Sequence, residues 1–229
     1  LNSSNLAHFP VTTKFQEVCH ALGAKLFDLH GLLSTRETKT LIMKIKEYNP
    51  DIVHLHNLHG YYLDFKVLFE YLASINKPVV WTLHDCWSFT GRCFHFEGVN
   101  CYKWRNGCYD CNAEPGYTVS PFCDRSKKLY ALKKGLFNSI KNLTLVPVSE
   151  WLASYVKESY FSDKKIQVIH NGVDLEKFKP QDKVRLQDKH GLQGKYVILG
   201  VASPWNQRKG FNDFLKLREK LDESYVIIL

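Results

Sequence analysis

The chain has 229 residues, of which 45% are hydrophobic, 14% aromatic and 24% charged; this is enough apolar material for one core and part of another, and it excludes disordered and collagen-like classes. No apolar run approaches the roughly 20 residues that a helix needs to cross a bilayer, which excludes a membrane-spanning class. The 31 Lys and Arg against 23 Asp and Glu leave a net charge of +8, favouring phosphates, acidic lipid surfaces or nucleic acid as partners.

Basic residues, including those spread from Lys103 to Lys220, form no long run, and no aromatic RNA-binding box accompanies them. A phosphate-handling enzyme is therefore preferred to a nucleic-acid module. The chain begins at Leu1 rather than Met, and residues 225–229 read as a buried strand without a cap. It is expected to be a fragment at both ends. No signal peptide is visible, and the expected location is cytoplasmic.

In chain order, Ser34 and Glu37 stand in capping-box relation, after which Leu41, Ile42, Ile45 and Tyr48 share a helical face until Asn49-Pro50 ends it. Residues 51–56 predict a strand and 63–73 a helix, leading through Asn76-Lys77-Pro78 into a second strand, 79–83, that ends at His84-Asp85. A long irregular stretch follows. Leu129, Leu132, Leu136 and Ile140 then repeat at helical spacing, 143–148 predicts a third strand, and Ser149 caps a helix near Trp151. Residues 165–169 form a fourth strand, closed by Asn171-Gly172. A polar linker with a short helical stretch leads to a strand at 195–200 and a loop at 202–209. A helix from Gly210 then turns Phe211, Phe214, Leu215 and Leu221 inward before the terminal strand.

This alternation predicts an α/β fold of parallel β-α-β units in a doubly wound sheet. It is organised as two Rossmann-like domains facing a cleft. The N-terminal domain, residues 1–173, is nearly complete and carries a Cys-rich insertion at 86–123; an interdomain linker spans 174–194; residues 195–229 begin a truncated C-terminal domain. Ligands of such sheets sit outside the carboxyl ends of the strands, and here those ends carry His56-Asn57, His84-Asp85, Ser149 and Asn171-Gly172. The same residues also suit turns and helix caps.

The segment Val168-Ile-His-Asn-Gly-Val-Asp-Leu-Glu-Lys-Phe-Lys-Pro180 resembles the interdomain signature of glycosyltransferase family 4, retaining enzymes of the two-Rossmann-domain GT-B fold. Pro147-Val-Ser-Glu-Trp-Leu152 resembles the strand-to-helix segment upstream of it, and Arg208-Lys209-Gly210 the family's donor-phosphate loop. Pro50-Asp-Ile-Val-His-Leu-His-Asn-Leu-His-Gly-Tyr-Tyr62 and Trp81-Thr-Leu-His-Asp-Cys-Trp87 are similar to a bacterial exopolysaccharide branch of the colanic-acid type. The resemblance runs in family order over roughly residues 26–229. It implies transfer of a hexose, with retention, from a nucleotide-diphosphate sugar to a lipid-linked or polysaccharide acceptor, by an acceptor-side N-terminal domain and a nucleotide-sugar-binding C-terminal one. Where the family places an Arg after the glycine of the first C-domain strand, this chain has Val201-Ala-Ser203, and the diphosphate contact moves to Arg208. The family's glycine-rich loop and paired-glutamate motif lie outside the sequence, so the fragment is expected to be inactive.

In this fold the departing diphosphate is expected to be held by helix N-termini and cations, with no catalytic metal; no Asp-x-Asp occurs in the chain. Arg208, Lys209, Gly210 and Ser203, with Asn171 and Gly172, are the expected donor-binding residues. His84 is the expected catalytic residue, its imidazole oriented by Asp85. His56, Asn57, His59 and Gly60 are read as acceptor-side residues; a metal centre among the histidines between His54 and His84 is the minority alternative. Six of the seven cysteines fall between Cys86 and Cys123, in a loop long enough to need a staple. The Cys93, Cys101, Cys108 and Cys111 set, ending in C-x2-C, is read as a structural zinc site in preference to reduced thiols or disulfides. The partners expected are thus a sugar nucleotide, a lipid-linked saccharide and the surface of an anionic membrane, with no nucleic acid. A zinc-stabilised module binding nucleic acid or an anionic surface is the alternative class.

Overall fold

The structure is a computed structural model and describes residues 9–111, 120–180 and 184–229. The chain divides into two compact units, Leu1–Asn171 and Gly172–Leu229.

The first unit opens with α1 (Lys14–Phe27), a helix absent from the predicted elements. Thr13 and Gln16 close a capping box on it, each side chain meeting the other's backbone N–H. The box expected one helix later does not form. Ser34, which precedes α2 (Thr35–Tyr48), has φ of 63° and makes no side-chain cap. Its Oγ lies instead 2.8 Å from His20 Nδ1, and Glu37 accepts from Gln16 Nε2 at 2.6 Å. The left-handed backbone at Ser34 points the hydroxyl towards α1 rather than along α2.

Then come β1 (Val53–Leu55), α3 (Phe65–Ser74), β2 (Val79–Leu83), α4 (Ser126–Asn138), β3 (Leu143–Pro147), α5 (Glu150–Glu158) and β4 (Lys165–Ile166). Asp64 caps α3 by accepting from Val67 N, and Ser149 caps α5 by accepting from Leu152 N, as its position in the sequence predicts. The strands form one parallel sheet in the order β1-β2-β3-β4, registered Val53↔Val79, Val79↔Leu143 and Thr144↔Lys165. Consecutive strands are neighbours, so the described sheet is parallel but lacks the reversal of order that a doubly wound sheet carries.

Val79, Trp81 and Leu83 alternate onto the buried face of β2. Against them packs Phe137 of α4, its ring 5.0 Å from Trp81, 4.3 Å from Phe69 and 5.7 Å from Phe65. The irregular stretch after β2 is held by similar means. Phe89, Phe96 and Trp104 are fully buried, with ring centroids 5.1–5.2 Å apart about Trp104, and Tyr155 of α5 closes against Phe96 at 5.2 Å. Arg92, itself buried, donates to Asp28 Oδ2 at 2.8 Å and to the Cys123 carbonyl at 3.1 Å. Lys133 of α4 is also buried. It donates to the carbonyls of Trp87 and Thr90 at 2.8 and 3.2 Å and lies 3.6 Å above the Trp87 ring. Burial pulls its pKa down to about 7.

The second unit holds α6 (Val184–His190), β5 (Tyr196–Leu199), α7 (Phe211–Lys220) and β6 (Tyr225–Ile228). β5 and β6 pair in parallel with Tyr196 opposite Tyr225. Gly200 follows β5, its N–H donating to the Ile228 carbonyl at 2.8 Å, and a Cβ there would come within 2.7 Å of the Leu229 side chain and 2.9 Å of Phe214 and Trp205.

Two measurements test this packing. Phe137→Ala is expected to destabilise the protein by about 3–5 kcal/mol in urea unfolding, as for other buried aromatics; a loss below about 1 kcal/mol would contradict the central place of that ring. Burial holds His20 at about 4 and His30 at about 3. The unfolded chain therefore binds more protons than the folded one below pH 6.5, and stability is lost as pH falls from there towards 4 and 3. The slope is about 1.4 kcal/mol per pH unit for each histidine. Urea midpoints should be lower at pH 5 than at pH 7, and His20→Gln should flatten that difference.

Candidate active site

The parallel sheet fixes where chemistry can gather. Because side chains alternate along a strand, Leu55, Trp81 and Leu83 point into the core while His54, His56, Thr82 and His84 share the opposite face. Register Leu55↔Trp81 then brings the two sets together at the carboxyl edge. His54 Nε2 lies 2.8 Å from Thr82 Oγ1, and the His54 and His56 rings stand 4.4 Å apart. Continuing outward, His56 Nδ1 is 3.1 Å from His84 Nε2, with the rings stacked at 5.4 Å and 27°. All three imidazoles are exposed. Burial, slight as it is, and then the neighbouring His56 lower the pKa of His54.

A second pair lies beside the first. His59 Nε2 is 2.6 Å from Asp85 Oδ2, and Asp85 Oδ1 accepts from the Trp87 backbone N–H at 2.9 Å. Phe94 and Trp87 enclose the His59 ring at 5.8 and 5.9 Å. The partnership expected from sequence, Asp85 orienting His84, is thus replaced by two others: Asp85 holds His59, and His84 meets His56. Asp85 is drawn the other way by the turn at Trp87, whose amide fixes one carboxylate oxygen.

His56, Asn57, His59, Thr82, His84 and Asp85 line one cleft. Two bonds hold the backbone of its first wall: Tyr62 donates to the Asn57 carbonyl at 2.6 Å, and Trp81 donates its indole N–H to the His56 carbonyl at 3.3 Å. Gly60 is required here because a Cβ would lie 2.5 Å from the Tyr62 ring. The structure therefore gathers His56, Asn57, His59, His84 and Asp85 from the sequence expectation and adds Thr82 in the lining and His54 beside His56. The signal for the additions is the alternation His54-Leu-His56 and Thr82-Leu-His84, which places each set on one face.

In the second unit, Arg208 and Lys209 are exposed on a single 3₁₀ turn, Gln207–Lys209, where Asn206 Oδ1 accepts from Lys209 N at 3.0 Å. Gly210 is left-handed, with φ of 80°, and opens α7. Ser203 is exposed in the loop before that turn, and Asn171 and Gly172, also exposed, flank the division between the units.

The zinc expectation does not find its geometry. Cys93, Cys101, Cys108 and Cys111 line a common cavity of about 20 Å³, but among the described residues no group of three or more His, Cys, Asp or Glu is arranged to hold a metal ion. The same applies to the histidines between His54 and His84. All seven cysteines are free. Burial pushes Cys93 up to about 11 and Cys108 up to about 12, so both are protonated thiols at neutral pH, and Cys108 Sγ accepts from Gly91 N–H at 3.1 Å. Aromatic packing and the buried Arg92 and Lys133 staple the loop instead.

Among known proteins, the sequence model of Glycosyltransferase Family 4 matches residues 15–177, more than half of the chain. A protein of Escherichia coli (strain K12) named as a colanic acid biosynthesis glycosyl transferase, WcaC, is 33% identical over 133 residues, covering 55% of this chain and 32% of that protein. The chain thus spans about a third of the length of that curated relative. No solved structure matches the chain.

Asp85→Ala should move the His59 ring resonances and the Trp87 amide more than the His84 ring, and should destabilise the protein by about 1–3 kcal/mol. The reverse pattern of shifts would restore the Asp85–His84 partnership.

Proposed function

The chain belongs to Glycosyltransferase Family 4, and on that premise we propose that its full-length protein transfers a hexose, with retention, from a nucleotide-diphosphate sugar to a lipid-linked or polysaccharide acceptor in the assembly of a cell-surface polysaccharide. The observation that carries this reading is the cleft at the carboxyl edge of the parallel sheet, where His56 and His84 meet beside the His59–Asp85 pair. Open α/β sheets bind their ligands at that edge. The name of the E. coli relative supports the polysaccharide context.

Breaking the bond between sugar and diphosphate places growing negative charge on the leaving group, and preorganised N–H groups and cations lower the energy of that charge. Arg208, Lys209 and the amides that open α7 supply both kinds of group on the second unit, with Ser203 in the loop before them. Asn171 and Gly172 join the donor side in this reading. His84 is assigned to a hydroxyl of the transferred sugar or of the acceptor, exchanging a hydrogen bond through an exposed ring nitrogen. Asn57, His59 and Gly60 line the acceptor side. The net charge of +8 suits a cytoplasmic enzyme that meets its lipid-linked acceptor at an anionic membrane surface, and no helix among the described residues is long and apolar enough to cross that membrane.

The full-length protein should show a thermal shift with a UDP- or GDP-sugar and release nucleoside diphosphate from it. His84→Ala and Lys209→Ala should each lower turnover by about tenfold or more while circular dichroism is unchanged. Unaltered kinetics in both variants would overturn the assignment. A steeply salt-dependent affinity for nucleic acid without any response to sugar nucleotides would replace it with the binding-module class.

A further inference from the structure

We propose that His56 is a positioning residue for His84: its ring occupies Nε2 of His84, fixes that imidazole in one tautomer, and leaves Nδ1 as the nitrogen presented to the substrate. The proposal rests on the reading of His84 as a substrate-facing group. The supporting geometry is a chain of contacts that runs from the sheet to the site. Thr82 Oγ1 meets His54, the His54 ring stands 4.4 Å from that of His56 at a tilt of 44°, and His56 Nδ1 meets His84 Nε2. The backbone at His56 is tied down by the indole N–H of Trp81, whose ring is buried in the core. Asp85 is engaged elsewhere, with His59 and with the Trp87 amide.

An N–H···N bond between two imidazoles needs one donor and one acceptor, so the tautomers of the two rings are locked to each other. With Nε2 of His84 committed to His56, the state of its Nδ1 follows: a donor if Nε2 accepts, an acceptor if Nε2 donates. A pair protonated on both rings would set two N–H groups against each other at 3.1 Å. The pair therefore holds one proton between the two facing nitrogens. His54, His59 and Asp85 are the titratable neighbours from the same strands and their following turns. At the end of β3, His170 Nδ1 donates to the Val148 carbonyl at 3.1 Å.

The test uses the full-length protein and two variants. His56→Phe keeps a stacking ring and removes both nitrogens, whereas His56→Asn keeps a group able to donate or accept. Long-range nitrogen–proton spectra of the rings should show His84 as a single tautomer in the native protein and in His56→Asn, and as a mixture in His56→Phe. Turnover with a nucleotide sugar should fall by about tenfold or more in His56→Phe, with KM for the donor unchanged, and should recover in His56→Asn. A mixed tautomer at His84 in the native protein overturns the proposal without need of any variant. So does unchanged turnover in His56→Phe, or equal loss in both variants. The spectra need no turnover. If they show the single tautomer and its loss in His56→Phe while no sugar nucleotide is consumed, the pairing stands and the transferase reading falls.

Discussion

The packing of Phe137 against the buried face of β2 is the contact on which the rest of the first unit depends. Trp81 and Phe69 meet that ring directly, and Trp81 in turn bonds the carbonyl of His56 on the neighbouring strand. One buried aromatic cluster thus sets the height of β2, the position of β1 beside it and, through both, the line of imidazoles on the opposite face. Interiors of this density deform little, so a site carried on the back of such a strand inherits its rigidity. Loops supply only the outer rim: the turn at Trp87 that binds Asp85, and the segment from Asn57 to Tyr62.

Much of this architecture is written in the sequence. The strand at 79–83 and the cap at Ser149 follow from apolar runs and turn residues, because those signals report local backbone preference. Parallel pairing follows from alternation with helices. The helix α1 was legible too, since Phe15, Val18, Leu22 and Leu26 recur at helical spacing; what the sequence does not show is that this stripe is exposed rather than turned to the described core. At the site, strand-end position identified His56, His59, His84 and Asp85. Which of them pair was not legible, since pairing depends on the register between strands that are distant in sequence. Adjacency along the chain favoured Asp85 with His84, and three-dimensional proximity reversed it.

The Cys-rich loop shows the same limit from another side. Cysteine spacing describes which thiols are close along the chain, whereas the burial of Phe96 and Trp104 and the two internal cations appear only once the chain is folded. Lys133 is informative here. A buried ammonium is unfavourable unless its donors are used, and Lys133 gives two of them to the carbonyls of Trp87 and Thr90 in an irregular backbone. Arg92 donates likewise to Asp28 Oδ2, which also accepts from the Arg125 N–H at 2.6 Å, and to the Cys123 carbonyl. Side-chain donors thus do for this loop what a ladder of strand hydrogen bonds does elsewhere.

The residues of the histidine line themselves, from His54 to the carboxylate of Asp85, come from one strand, one helix and the next strand, with Phe137 of α4 packed beneath them. A change in the length of α3 leaves the imidazoles facing each other as long as the two strands keep their alignment, whereas a slip of a single residue between β1 and β2 parts them. Seated on another parallel sheet with the same alignment and an aromatic ring in the place of Phe137, that stretch would carry its ring-to-ring contact with it, and its chemistry would then be chosen by whatever surface the new host sets across from it.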